Sequence, residues 1–123
     1  MRPKQGLFDH LLSSFRDAFR GLRVTWHEER NFRIEIWIAI AVIIALIAFD
    51  FTYIEIIFAL FTMILVLAAE VLNTAFEDAL NKIEPKFDPA IGKIKDVAAG
   101  VVVINVLGAG AIALIVFIHH FWQ

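Results

Sequence analysis

The stretch AAEVLNTAFEDAL, residues 68–80, follows eleven residues, 57–67, that carry no charge. Within it Glu70, Asn73, Thr74 and Glu77 recur at steps of three and four, and Asn81 continues the series. At about 100° per residue, these five side chains fall within about 100° of one another on a helix. An oily helix therefore ends in a polar stripe. A carboxylate in hydrocarbon costs several kcal/mol, and such residues mark functional sites by default.

Composition says which solvent surrounds that helix. Hydrophobic residues make up 60% of the 123, mean hydropathy is +0.76, and twelve Phe and three Trp are present. The apolar residues come in long blocks, unlike the periodic core pattern of a soluble domain. With no cysteine, disulfides and thiolate metal sites are excluded. A net charge of −2 favours no polyanionic partner, and no nucleic acid is expected.

Three segments have the length and character of spans: about 34–50, about 51–70 with a polar extension to about 83, and about 97–118. Only Glu55 interrupts the second near its start, and residues 97–118 hold no charge at all. At 1.5 Å per residue the third covers a hydrocarbon core of about 30 Å, and the shorter two need their flanks. Buried helices of a soluble bundle are the rival reading. Of the eleven Lys and Arg, seven (Arg2, Lys4, Arg16, Arg20, Arg23, Arg30, Arg33) precede the first span and four (Lys82, Lys86, Lys93, Lys95) fill the loop before the third. None lies near Asp50. The positive-inside rule then places the N-terminus and the 78–96 loop in the cytoplasm, with Asp50 and His119-His120 outside. No signal peptide is expected, and the spans themselves anchor the chain.

Ahead of the spans, Leu7, Phe8, Leu11, Phe15, Phe19, Leu22 and Trp26 recur every three or four residues, which predicts an amphipathic surface helix over about 7–27. Its basic polar face suits an anionic membrane interface. The run Glu84-Pro85-Lys86-Phe87-Asp88-Pro89 is the one clear helix breaker. The fold expected is an all-α membrane protein of one domain, with three spans and the surface helix.

Each polar residue also has a plain structural reading. Glu29 and Arg33 have the spacing of an i, i+4 pair, Glu77 and Asp78 that of a solvated helix end, and Asn73 can be interhelical glue. The small residues Ala98, Ala99, Gly100, Gly108, Ala109, Gly110, Ala111 and Ala113 read as close helix packing. For Glu70, with five apolar residues before it and two after, function is the better reading. The stripe's carboxylates repel one another, with Glu29 at the same interface, and a divalent ion would relieve the repulsion.

The strings Glu70-Val71-Leu72-Asn73-Thr74-Ala75-Phe76-Glu77, Lys95-Asp96-Val97-Ala98-Ala99-Gly100 and Glu29-Arg30-Asn31-Phe32-Arg33 resemble the small integral-membrane lipid kinases of bacteria, the prokaryotic diacylglycerol kinase and undecaprenol kinase family, over about 15–117. The resemblance implies a homotrimeric bundle in the bacterial inner membrane, its sites shared between subunits, moving the ATP γ-phosphoryl group to a lipid alcohol with Mg²⁺. It implies Glu70 as base with Asn73 orienting it, Glu29 and Glu77 as metal ligands, and ATP contacts at Asp17, Glu29, Glu77, Lys86, Phe87, Asp88, Lys95 and Asp96. It implies lipid contacts at Trp26, Arg33, Glu35, Glu70 and Ala99. Hard carboxylate oxygens suit Mg²⁺. Neither a G-x-x-x-x-G-K-[ST] loop nor the H-R-D and D-F-G strings of soluble kinases occur. The chain departs from many members at Asp17, where they carry tyrosine, and at Asn81, where they carry aspartate. The Glu-Arg-Asn-Phe-Arg and Lys-Asp-Val-Ala-Ala-Gly runs look closer to the undecaprenol branch. The alternative of another class is a non-catalytic membrane subunit, or an ion or proton carrier built on an intramembrane Glu.

Overall fold

The computed structural model describes residues 6–123, so Arg2 and Lys4 of the basic N-terminal group lie outside the described residues. Four helices account for nearly all of them: α1 (Leu7–Glu28), α2 (Arg30–Ala48), α3 (Tyr53–Ile83) and α4 (Pro89–Phe121). The last three are long and apolar enough to cross a membrane. The second span and its polar extension are one unbroken helix of 31 residues, and α4 runs for 33. These are about 46 and 50 Å long, well beyond the ~30 Å of a hydrocarbon core. Helix α4 thus starts eight residues before the predicted span, with Lys93, Lys95 and Asp96 on its leading turns.

The helix boundaries have local causes. Pro89 lacks an N–H and fits the first helical position, while the Asp88 carboxylate accepts from the N–H groups of Ala90 at 2.8 Å and Ile91 at 3.1 Å. At the start of α3, Thr52 and Glu55 form a capping box: the Thr52 N–H donates to Glu55 Oε2 at 2.8 Å, and the Glu55 N–H donates to Thr52 Oγ1 at 3.4 Å. Glu55, which looks in the sequence like a mere interruption, is a cap. Asp50 makes the preceding turn with φ 53°, a conformation Asp tolerates better than most residues.

The end of α4 closes on this turn. His119 Nδ1 is 3.3 Å from Glu55 Oε1, and His120 Nδ1 is 3.4 Å from Oε2. His120 Nε2 donates to the Phe49 carbonyl at 3.0 Å, and its ring stacks on Phe51 with centroids 3.7 Å apart. Phe121 meets Phe49 and Phe51 edge-on.

Packing is the reverse of a water-soluble domain. Helix α3 touches all the others, most extensively α4, whereas α2 and α4 do not touch each other. Among the described residues the only buried apolar side chains are Phe32, Leu46, Ala69 and Leu80, and α4 has no buried residue. Large apolar side chains such as Trp37, Phe58, Phe61 and Leu107 face outward instead, a surface that water would not tolerate. Between α2 and α4, over α3, lies an apolar groove of about 690 Å³ that runs from Glu35 to Phe121.

His120→Ala should free the end of α4 from the α2–α3 turn. Loss of about one net hydrogen bond predicts a melting midpoint lower by about 4–8 °C in detergent micelles, read by tryptophan fluorescence. An unchanged midpoint would show that the clamp contributes nothing.

Candidate active site

The polar stripe faces inward. Ala69, Glu70, Thr74 and Leu80 are the buried residues along this half of α3, at the helical spacing of one face, and Glu70 is only 4% exposed. Thr74 is satisfied within the helix, its hydroxyl donating to the Glu70 carbonyl at 3.0 Å. Asn73 is not: its Oδ1 is buried without a partner, and the residue lines a cavity of about 250 Å³ between α3 and α4, beside Phe76 and Val97. The second such atom is Glu35 Oε2, on α2 at the head of the large groove. Leaving a buried acceptor unmatched costs about 1–3 kcal/mol.

Carboxylates converge around Glu70. Glu29, at the junction of α1 and α2, and Glu77, two turns further along α3, both lie within electrostatic range of it, and Glu70 in turn acts on Glu35. No cation answers them. Among the described residues Arg20 pairs with Asp17 at 3.2 Å, and the two histidines lie against Glu55 at the opposite end. Arg33, at pairing distance in sequence from Glu29, instead donates from Nη1 to the carbonyls of Trp26 at 2.7 Å and His27 at 3.0 Å.

The other expected residues divide into two sets. Lys95, on α4, donates from Nζ to Asn81 Oδ1 on α3, which joins the two helices above the 84–88 loop. In that loop the Lys86 N–H donates to Glu84 Oε1 at 3.0 Å, Phe87 is 93% exposed, and the Asp88 carboxylate is engaged as the α4 cap. Trp26 packs edge-on to Trp37 across the α1–α2 junction, with centroids 6.3 Å apart. Asp17 lies on the exposed face of α1, paired with Arg20. Asp96 is exposed and Ala99 half-buried on α4.

Among the described residues no three His, Asp or Glu side chains stand in metal-holding arrangement. Glu29 and Glu77 still fit Mg²⁺, which takes one or two carboxylates and completes its sphere with water and substrate phosphates. Hard oxygens that each act on Glu70, with no counter-ion among the described residues, are the right kind of donor.

The sequence profile of prokaryotic diacylglycerol kinase matches residues 16–117. A diacylglycerol kinase of Synechocystis sp. is 35% identical over 101 residues, 81% of this chain and 58% of the relative, so the chain spans little more than half that protein's length. A diacylglycerol kinase of Haemophilus influenzae is 32% identical over 87 residues, 71% of this chain and 74% of the relative. The undecaprenol kinase of Bacillus subtilis is 31% identical over 110 residues, 89% of each chain. Three membrane-length helices with a carboxylate cluster at one end thus fall into the class of membrane lipid kinases. The chain belongs to the prokaryotic diacylglycerol kinase family.

Asp88 separates capping from ligand binding. Asn is as good a cap as Asp, whereas Ala removes about 1 kcal/mol. Asp88→Ala should therefore lower stability while Asp88→Asn keeps it. A drop in nucleotide affinity for a fully stable Asp88→Asn protein, measured by calorimetry, assigns the charge to the ligand.

Proposed function

We propose that this chain transfers the γ-phosphoryl group of ATP to the hydroxyl of a membrane lipid alcohol, undecaprenol in preference to diacylglycerol. The carrying observation is Glu70, a buried carboxylate at the end of an apolar helix, ringed by Glu29, Glu35 and Glu77 without a counter-ion. In this reading the lipid oxygen attacks the γ-phosphorus as its proton passes to Glu70, and the bond from phosphorus to the ADP oxygen breaks. Asn73, adjacent on the stripe, orients the acceptor. Glu29 and Glu77 hold Mg²⁺, which when bound neutralises charge on the phosphates. Lys95 and Asp96, with Lys86, Phe87, Asp88 and Asp17, bound the nucleotide. Trp26, Arg33, Glu35 and Ala99 bound the lipid head.

The groove favours the isoprenoid. Its lining is apolar apart from Glu35 and Thr62, and the Thr62 hydroxyl already donates to the Ala59 carbonyl at 2.8 Å. Apart from Glu35 at its head, the groove offers no free donor for the ester carbonyls of diacylglycerol, and an all-hydrocarbon chain asks for none. Placement in the bacterial inner membrane, N-terminus and site facing the cytoplasm, follows the basic residues, which in the sequence fall only before the first span and in the loop before the third. Helix α1 lies on that interface, its Leu7, Phe8, Phe15 and Phe19 exposed to receive lipid.

The assembly is a homotrimer with sites completed between chains. Gly100, Gly108 and Gly110 meet nothing within the chain where a Cβ would stand. Glycine costs about 1 kcal/mol in a helix relative to alanine, so their use is best sought in close approach by a neighbouring chain.

ATP consumption by purified protein in mixed micelles should require undecaprenol and respond weakly to diacylglycerol. No consumption with any lipid would end the kinase reading. Glu70→Gln should lose about 10²–10⁴-fold in turnover yet keep nucleotide binding, whereas Glu29→Gln and Glu77→Gln should weaken Mg²⁺-dependent nucleotide binding. Equal Mg²⁺ titrations for parent and variants would remove the metal assignment.

Sharing of sites has its own test. Glu70 and Glu77 are seven residues, about 10 Å, apart along one helix, a long separation for a base and a metal ligand acting at adjacent oxygens. Inactive Glu70→Gln and Glu77→Gln chains, unfolded together and reassembled, should recover part of the turnover. No recovery despite demonstrated mixing would mean that each chain carries a complete site.

A further inference from the structure

Helices α1 and α2 are separated by one residue, Glu29, whose backbone is extended at φ −103° and ψ 110°. Nothing in the local sequence breaks a helix there. His27, Glu28, Glu29, Arg30 and Asn31 include neither Gly nor Pro, and Glu and Arg are good helix formers. The break therefore has to be held from elsewhere. Where α1 stops, its last carbonyls lose the N–H partners that a continuing helix would bring. Thr25 is served by the Glu29 N–H at 2.8 Å. The next two, Trp26 and His27, both accept from a single nitrogen, Arg33 Nη1. Arg33 is itself anchored in the first turn of α2, its N–H reaching the Glu29 carbonyl at 3.3 Å. A cation at the C-terminus of α1 also meets the negative end of the helix dipole. Buried Thr25 and Phe32, and the Trp26–Trp37 edge contact, pack the same corner.

We propose that Arg33 is a positioning residue: its guanidinium caps α1, holds the one-residue break, and so points Glu29 from the corner towards the Glu70 end of α3. The broken geometry matters because Glu29 acts on Glu70. In an unbroken α1–α2 helix Glu29 would turn with its neighbours, and its carboxylate would leave the cluster. The Glu29-to-Arg33 spacing is thus not an ion pair. Arg33 leaves Glu29 free of a cation and fixes where its charge stands.

The kinetic arm of the test rests on the lipid-kinase reading, and the structural arm does not. The natural chain has no cysteine, so spin labels at Ser14→Cys on α1 and Ala41→Cys on α2, both exposed positions, report the corner directly. Arg33→Gln should shift or broaden the label distance distribution, and Arg33→Lys, one bond shorter in reach, should do so less. If Arg33→Gln does not fold, the same comparison is made on Arg33→Lys. In turnover, Arg33→Gln should raise half-saturation for Mg²⁺ and ATP about 10–100-fold, as loss of a residue supporting a metal ligand does, in addition to any change in lipid KM from its contact with the lipid head. In a Glu29→Gln background the same substitution should add little, since the residue it acts through is gone. An unchanged label distance overturns the proposal, and so does a raised lipid KM with normal Mg²⁺ and ATP dependence. A parent chain inactive with every lipid would defeat the kinase reading, while the label distances would still decide whether Arg33 holds the break.

Discussion

The site end of this protein is organised around a carboxylate that has no business being buried. Glu70 sits 4% exposed at the end of an apolar helix, with Glu29, Glu35 and Glu77 all of the same sign in range and no cation among them. Four carboxyl groups held together by protein structure repel one another when ionised, which favours sharing of a proton or a cation. A solvated helix end would let these side chains drift apart. Here three separate elements bring them in: α3 carries Glu70 and Glu77, α2 carries Glu35, and the α1–α2 corner carries Glu29. The arrangement is relieved when a cation or a proton is shared within it.

Helix length sets where that cluster can stand. Helices α3 and α4 exceed the hydrocarbon thickness by several turns, and the excess lies on the side where α3 ends and α4 begins. Glu77, Asn81 and Lys95 occupy those turns, and the Lys95–Asn81 hydrogen bond ties them across the loop. The polar half of the hairpin is thus held rigid outside the apolar half, with Glu70 at the boundary. In the proposed reading a lipid hydroxyl would lie at that depth and a nucleotide would approach from the polar side. Chemistry between the two has one place to happen.

The main architecture could be read from residue pattern alone. Uncharged runs mark the three membrane-length helices, and the polar series from Glu70 to Asn81 marks the candidate face, because hydropathy and helical period are properties of the chain taken locally. What escaped the reading depends on contacts between distant residues. Arg33 has the spacing of an ion pair with Glu29, and only the turn of the chain shows its guanidinium on the carbonyls of Trp26 and His27. The break at Glu29 has no local breaker at all. Glu35 is one acid among apolar residues, and its unpartnered oxygen emerges only once α2 lies on α3. Thr52 and Glu55 are different: the T-x-x-E signature of a capping box is local and stands in the sequence, where the charge of Glu55 at the start of a span looks like an interruption until it is paired with Thr52.

The two ends of the bundle answer the question of whether the intramembrane acids form a path for ions. A proton or ion relay needs polar groups in sequence through the bilayer, each free to exchange partners. At the far end Glu55 is surrounded, both oxygens engaged by Thr52, His119 and His120, and His120 is also fixed to the Phe49 carbonyl and stacked on Phe51. Those groups satisfy one another and tie helix ends together. At the site end the reverse holds, with Glu35 Oε2 and Asn73 Oδ1 buried and unmatched. Between them the groove offers Thr62, whose hydroxyl is committed to its own helix, and otherwise hydrocarbon. Saturated polar groups at one end, unsaturated ones at the other and an oily gap between make a poor conductor. They agree with the proposed reading, in which a lipid tail lies in the groove and the chemistry is done on its head.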